Sequence, residues 1–114
     1  IINRVMGRGC KQAKATTTER ADVISAEWPD GRLASIHGLR GAHHHFGLTI
    51  QREKGFQFVD AAAGKRSWYA SMLDAIMRSL PKGKSDVAPA DTLEIVRFIE
   101  AANQSRQSGQ SVSL

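Results

Sequence analysis

Apolar residues recur along this chain in two different periods, and the change of period marks the elements. Ile24, Ala26 and Trp28 alternate with polar or smaller residues up to Pro29-Asp30-Gly31, and Ala34 and Ile36 resume the alternation after it. A period of two places such residues on one face of a strand. Proline fixes φ at the first turn position and glycine accepts the left-handed position that follows, so residues 22–28 and 32–39 are predicted to form a hairpin. A three-residue loop pairs Trp28 with Arg32, Ala26 with Ala34 and Ile24 with Ile36. Val23, Ser25, Ser35, His37 and Leu39 then share the opposite face. A second hairpin is predicted from residues 45–51, where Phe46, Leu48 and Ile50 alternate, and residues 56–60, where Phe56 and Phe58 follow a turn at Glu53-Lys54-Gly55. Residues 11–18 are permissive for an edge strand.

The helical period takes over at Trp68, Tyr69, Met72, Leu73, Ile76, Met77 and Leu80, closed by Pro81 and Gly83, which predicts a helix over 67–80. Pro89 stands where a first turn accepts proline. From it a helix over 90–108 is expected, with Leu93, Val96, Ile99 and Ala102 on its apolar side, a stop at Gly109 and a short final strand. Ile1, Ile2, Val5 and Met6 fall on one side of a helix ended by Gly7 and Gly9, and an opening in mid-helix suggests a natural N-terminus upstream.

This order predicts an α+β two-layer sandwich, with a largely antiparallel sheet and helices on one face. Helices 67–80 and 90–108 are expected to cover the face holding Ile24, Ala26, Ala34, Ile36, Phe46, Leu48, Ile50, Phe56 and Phe58. The other face would hold Val23, Ser25, Leu33, Ser35, His37, Leu39, Thr49 and Val59. It is too apolar to be simply wet and too small in side chain to build a core. A second copy stacked on it is therefore predicted, with Val23, Ser25, Leu33, Ser35, His37 and Leu39 as interface candidates.

Length and composition narrow the picture. A chain of 114 residues, 41% hydrophobic, builds one core more readily than two, so 1–114 is expected to be a single domain. Its apolar runs fall well short of the roughly 20 residues of a membrane helix, and residues 1–4 do not resemble a signal peptide. With Cys10 alone no internal disulfide forms, and a reducing cytoplasm is the simplest compartment. The net charge of +5 and pI near 9.9 raise the possibility of a nucleic-acid partner. The scatter of Lys and Arg among acidic residues argues against it, and no such partner is expected.

Little local chemistry emerges. His43-His44-His45 is the one cluster of metal-ligand type, but neighbouring residues on a strand point to opposite faces and no acid or thiol completes a set, so no metal is expected. Cys10 beside Lys11 reads more simply as a plain, exposed thiol than as an activated thiolate. Asp74 and Arg78, four apart, suit a solvated helix pair. Trp68 and Tyr69 suit packing anchors better than a ligand stack.

Four segments carry a resemblance: residues 25–34 around the Pro29-Asp30-Gly31 turn, the strand and glycine turn of 50–59, the helix of 68–80 with its Pro81-Lys82-Gly83-Lys84 exit, and the tail of 92–114. The tail, reading Ile95-Val96-Arg97-Phe98-Ile99-Glu100-Ala101-Ala102-Asn103-Gln104-Ser105 through Gly109 and Val112, is the most telling. Together they resemble the C-terminal domain of the Gfo/Idh/MocA family, the glucose-fructose oxidoreductase and inositol dehydrogenase relatives. That resemblance implies a longer parent whose Rossmann domain binds NAD or NADP and which moves a hydride to or from a sugar, cyclitol or related polyol. Family members carry a glycine-rich dinucleotide loop, a Glu-Lys-Pro lysine segment and an Asp-x-x-x-His helix. This chain has none of them, and its opening residues resemble the remainder of that last helix. No catalytic or cofactor-binding residue is therefore assigned to it. The resemblance further implies that His37, or the loop of His43, His44 and His45, faces the parent's small-molecule substrate, and that the parent is a homo-oligomer. The alternatives are a free-standing small α+β binding or assembly module and, further off, a basic nucleic-acid-binding domain.

Overall fold

The computed structural model describes residues 1–41, 45–64 and 66–114. It has the expected α+β composition, with helices and antiparallel strands. The strands nonetheless form two sheets rather than one, and the chain divides into two compact units: Ile1–Gly41 with Val87–Leu114, and Ala42–Asp86.

The first unit contains α1 (Ile2–Met6), β1 (Gln12–Thr17), β2 (Ala21–Glu27), β3 (Leu33–Leu39), α3 (Pro89–Ser108) and β6 (Val112–Ser113), numbered along the whole chain. Its antiparallel sheet runs β3-β2-β1-β6. The first hairpin forms in the expected register, Ala26 opposite Ala34 and Ile24 opposite Ile36. Its turn closes by the Trp28 amide donating to the Arg32 carbonyl and the Gly31 amide to Trp28, with Gly31 at φ +85°. The Asp30 carboxylate accepts from the Arg32 amide at 3.1 Å and from its Nε at 2.7 Å. Those two donors, the amide first, hold the Asp30 carboxyl below the usual carboxylate range.

The core of this unit sits between β1–β2 and α3. Cys10, Ala13, Ala26, Trp28, Phe98 and Ala101 form it. The sheet's contribution is an alanine floor, since Ala13, Ala15 and Ala26 are all buried. So flat a floor lets a helix come close, provided that the helix also offers small residues. It does so with Ala101, Ala102 and Ser105, and Phe98 is the one large side chain on that side. The apolar stripe expected at Leu93, Val96 and Ile99 is therefore not the buried one. Those three are 60%, 45% and 53% exposed, and of the expected set only Ala102 is buried. Glu94 turns back onto the loop before β1, where its Oε1 accepts from the amides of Gly9 at 2.9 Å and Cys10 at 3.0 Å. The helix begins with Pro89 in its first turn and ends at Gly109, whose φ of +70° and amide bond to the Ser105 carbonyl stop it as expected.

The second unit holds β4 (Gly47–Arg52), β5 (Gly55–Asp60), α2 (Trp68–Ser79) and a 3₁₀ turn at Leu80–Lys82. Its hairpin departs from expectation by one residue. Arg52 pairs with Gly55, so the turn is the two-residue Glu53-Lys54 rather than a three-residue loop. Because side chains alternate, that change flips one strand relative to the other. Leu48 now shares a face with Val59 and Ile50 with Gln57, whereas Phe58 stands opposite Thr49 and Phe56 opposite Gln51. Phe46, Leu48 and Ile50 therefore do not share a face with Phe56 and Phe58, and Thr49 and Val59 lie on opposite faces. The Gly47 position confirms the register: a Cβ there would meet the Phe58 ring at 3.2 Å.

Helix α2 occupies its predicted span but buries none of its residues. Within the first unit, α3 covers the sheet through β1 and β6, and Ile2 and Met6 of α1 pack against the same core. Trp68 and Tyr69, expected as packing anchors, are 54% and 76% exposed, and only Trp68 makes a ring contact. Its ring meets Phe46 at 5.6 Å and 60°, and its Nε1 donates to the Ala61 carbonyl at 3.1 Å. Asp74 pairs with Arg66 at 2.6 Å rather than with Arg78, because the segment before the helix brings the guanidinium to it.

Candidate functional site

The face of the first sheet opposite α3 gathers all six interface candidates. Reading across the register, Gln12, Glu27 and Leu33 form one row, Lys14, Ser25 and Ser35 the next, Thr16, Val23 and His37 a third, and Ala21 and Leu39 the last. Leu33 is 73% exposed and Leu39 65%. Between these two leucines lie short hydroxyl side chains and Val23, so the face is shallow and half apolar. Some of its polar groups are held within the sheet. Glu27 accepts from Lys11 Nζ at 2.9 Å and from the Gln12 side-chain amide, and these two donors, Lys11 first, keep its carboxyl below the usual range. Ser25 Oγ donates to the Lys14 carbonyl at 3.3 Å.

Beyond the strand ends, Arg40 bonds to the Asp22 carboxylate and to the Thr18 carbonyl at 2.8 Å. The Arg40 guanidinium, then the Thr17 hydroxyl, hold the Asp22 carboxyl below its ordinary value. This closes the end of the sheet but brings no group onto the open face, because Asp22 lies on the other side of β2.

The histidine candidates are dispersed. His37 sits on β3 in the open face, opposite Val23. His45 precedes β4, with its Nε2 3.2 Å from Asp60 Oδ1. His43 and His44 lie outside the described residues. Among the described residues, no group of three or more His, Cys, Asp or Glu is placed to hold a metal ion. Among the described residues, no helix is long and apolar enough to cross a membrane.

Cys10 is buried, against the expectation of an exposed thiol. Its Sγ donates to the carbonyls of Gln12 and Glu27, and burial pushes the thiol up, away from thiolate character. The glycines before β1 do not form a dinucleotide-binding loop. Gly7-Arg8-Gly9 is followed by Gln12 where a third glycine would stand, and it leads into a strand instead of a phosphate-binding helix.

Sequence reasoning missed one feature. Beside α3, over β2 and β3, runs an apolar groove of about 400 Å³ lined by Ile1, Ile24, Ile36, Ile95 and Ile99. Asn3 lines it too, and its buried Nδ2 has no hydrogen-bond partner among the described residues. The groove exists because α3 sits over β1, leaving Ile24 and Ile36 half-buried. Ile95 and Ile99, off the expected stripe or assigned to its buried side, gave no signal of it.

No protein-family model, curated protein or solved structure matches this chain.

Proposed function

We propose that the chain is the substrate-side and oligomerisation portion of an NAD(P)-dependent oxidoreductase of the Gfo/Idh/MocA type, whose parent acts on a sugar, cyclitol or related polyol. In this reading a preceding Rossmann domain binds the nicotinamide nucleotide and supplies the catalytic groups. The present chain contributes pocket walls and an interface between copies, and catalyses nothing alone. His37 and the segment of His43, His44 and His45 are the candidates for the substrate side.

The observation that carries the reading is the one-sided sheet of the first unit. One face is covered by a C-terminal helix whose sequence resembles the family's tail, and the other is left open with Leu33 and Leu39 exposed. An open antiparallel face of this composition suits stacking on a second copy about 10 Å away. The reading frame upstream of Ile1 tests the family assignment. A strand, a Gly-x-Gly-x-x-Gly turn and a helix there would support it. A native start codon near Ile1, with no such unit before it, would contradict it.

The apolar groove beside α3 favours a second reading, a free-standing small α+β binding module. The same upstream sequence separates the two.

A further inference from the structure

Helix α2 stands with its apolar side outward. At about 100° per residue, Trp68, Tyr69, Met72, Leu73, Ile76 and Met77 fill one half of its circumference, and all six are exposed. Ala70, Asp74 and Ala75, on the other half, are half-buried, which inverts the usual amphipathic arrangement. Beyond the 3₁₀ turn that continues it, α2 has no extensive packing partner among the described residues. A 12-residue helix left alone in water is marginal, so whatever takes up its apolar half decides whether it holds. We propose that α2 lies flat on an anionic membrane surface, with its apolar half seated at the boundary of headgroups and acyl chains and its basic exit against the headgroups.

Width and charge pick out this occupant. A protein groove takes the narrow stripe of i, i+3, i+4 and i+7 positions, whereas half a circumference suits a planar boundary between apolar and wet. Trp68 and Tyr69 head the helix, and rings with a polar edge settle at headgroup level. At its other end Arg78, Lys82 and Lys84 pair with no carboxylate among the described residues, while Asp74 is taken by Arg66. Asp86 is the one acid in that exit. Anionic headgroups attract cations so placed. A second copy would instead bring the same cations to the same face. The helix lies on the surface and does not cross it, being far shorter than the roughly 20 residues that a bilayer requires.

Vesicles of phosphatidylcholine alone, and of phosphatidylcholine with about a third phosphatidylserine, test this on the full chain by co-sedimentation and tryptophan fluorescence. Trp28 is 2% exposed in the core of the first unit, so a blue shift reports Trp68. The expected result is binding with a blue shift on the anionic vesicles, about tenfold or more weaker on the neutral ones and weakened by added salt. Lys82→Gln with Lys84→Gln, which leaves α2 itself untouched, should weaken binding roughly twentyfold, at about fivefold per lysine. Leu73→Glu with Met77→Glu should abolish it with unchanged circular dichroism of the free chain, since both side chains are already exposed. No binding to anionic vesicles, equal binding to neutral ones, or binding that survives Leu73→Glu with Met77→Glu overturns the proposal. Self-association lost in that same double variant, without vesicle binding by the wild type, overturns it in favour of a second copy on this face.

Discussion

The hydroxyl of Ser105 lies 2.8 Å from the amide of Ala15 and accepts its proton, ninety residues away in the chain. β6 pairs with β1 only at Gln12 and Ala13, so the edge of β1 beyond them would otherwise leave this buried amide without an acceptor. The same oxygen donates to the Gln110 carbonyl at 2.5 Å, tying the end of α3 to the start of the final strand. One fully buried serine thus completes a sheet edge and fastens the helix that covers the core.

Ser105→Ala should destabilise the fold by about 1–3 kcal/mol, because it leaves a buried donor and a carbonyl unsatisfied while creating little space. Urea denaturation followed by circular dichroism measures this. A loss within error of zero would mean that the hydroxyl is not the acceptor on which that edge depends.

Acid should loosen the ends of the first sheet. Asp22, Asp30 and Glu27 all have folded-state values lowered by their donors, Arg40, the Arg32 amide and Lys11 respectively. A depressed value contributes stability that is present above the unfolded-state value and is lost as pH falls through the folded one. The loss therefore begins near the ordinary aspartate value of 3.8 and continues below it. Asp22→Asn should lower the neutral-pH melting temperature slightly and converge on the wild type near about pH 2, so the acid limb flattens by that same small amount, since exposed pairs contribute little. An unchanged acid limb in the variant would remove Asp22 from the account.

Cys10 should be slow to react. Its thiol is buried and shifted away from the thiolate, which is the reactive form. A disulfide reagent at neutral pH should label it at the rate of unfolding and rapidly in urea. Fast labelling of the native chain would show that the loop held by Glu94 opens freely.

What was legible in the sequence is the part governed by local rules. The Pro29-Asp30-Gly31 turn fixed its own loop length, so the Ala26–Ala34 and Ile24–Ile36 pairs followed from it, and Pro89 and Gly109 bounded α3 correctly. The second hairpin failed on the same rule, since Glu53-Lys54-Gly55 accommodates a two- or three-residue turn and the choice reverses one strand. The buried side of α3 was not legible from hydrophobicity. Packing on an alanine floor selects small residues over large ones, and Ser105, polar by type, is the most buried of them. The open face was legible as a surface, because alternation alone gathers Val23, Ser25, Leu33, Ser35, His37 and Leu39. Glu94 and the Ile95–Ile99 groove depend on the rotation of α3, which no local signal sets.

The central claim is that the open face of the first sheet joins two copies of the chain. Light scattering with sedimentation equilibrium at tens of micromolar and slightly alkaline pH tests it most directly, on the wild type and on Leu33→Asp and Leu39→Asp. Both leucines are already exposed in the single chain, so an aspartate there does not disturb the fold, whereas each places charge in a face that a dimer removes from water. The account predicts a dimer or larger species for the wild type and monomers for both variants, with unchanged circular dichroism. A wild-type monomer throughout that range, or variants that assemble as well as the wild type, would contradict it.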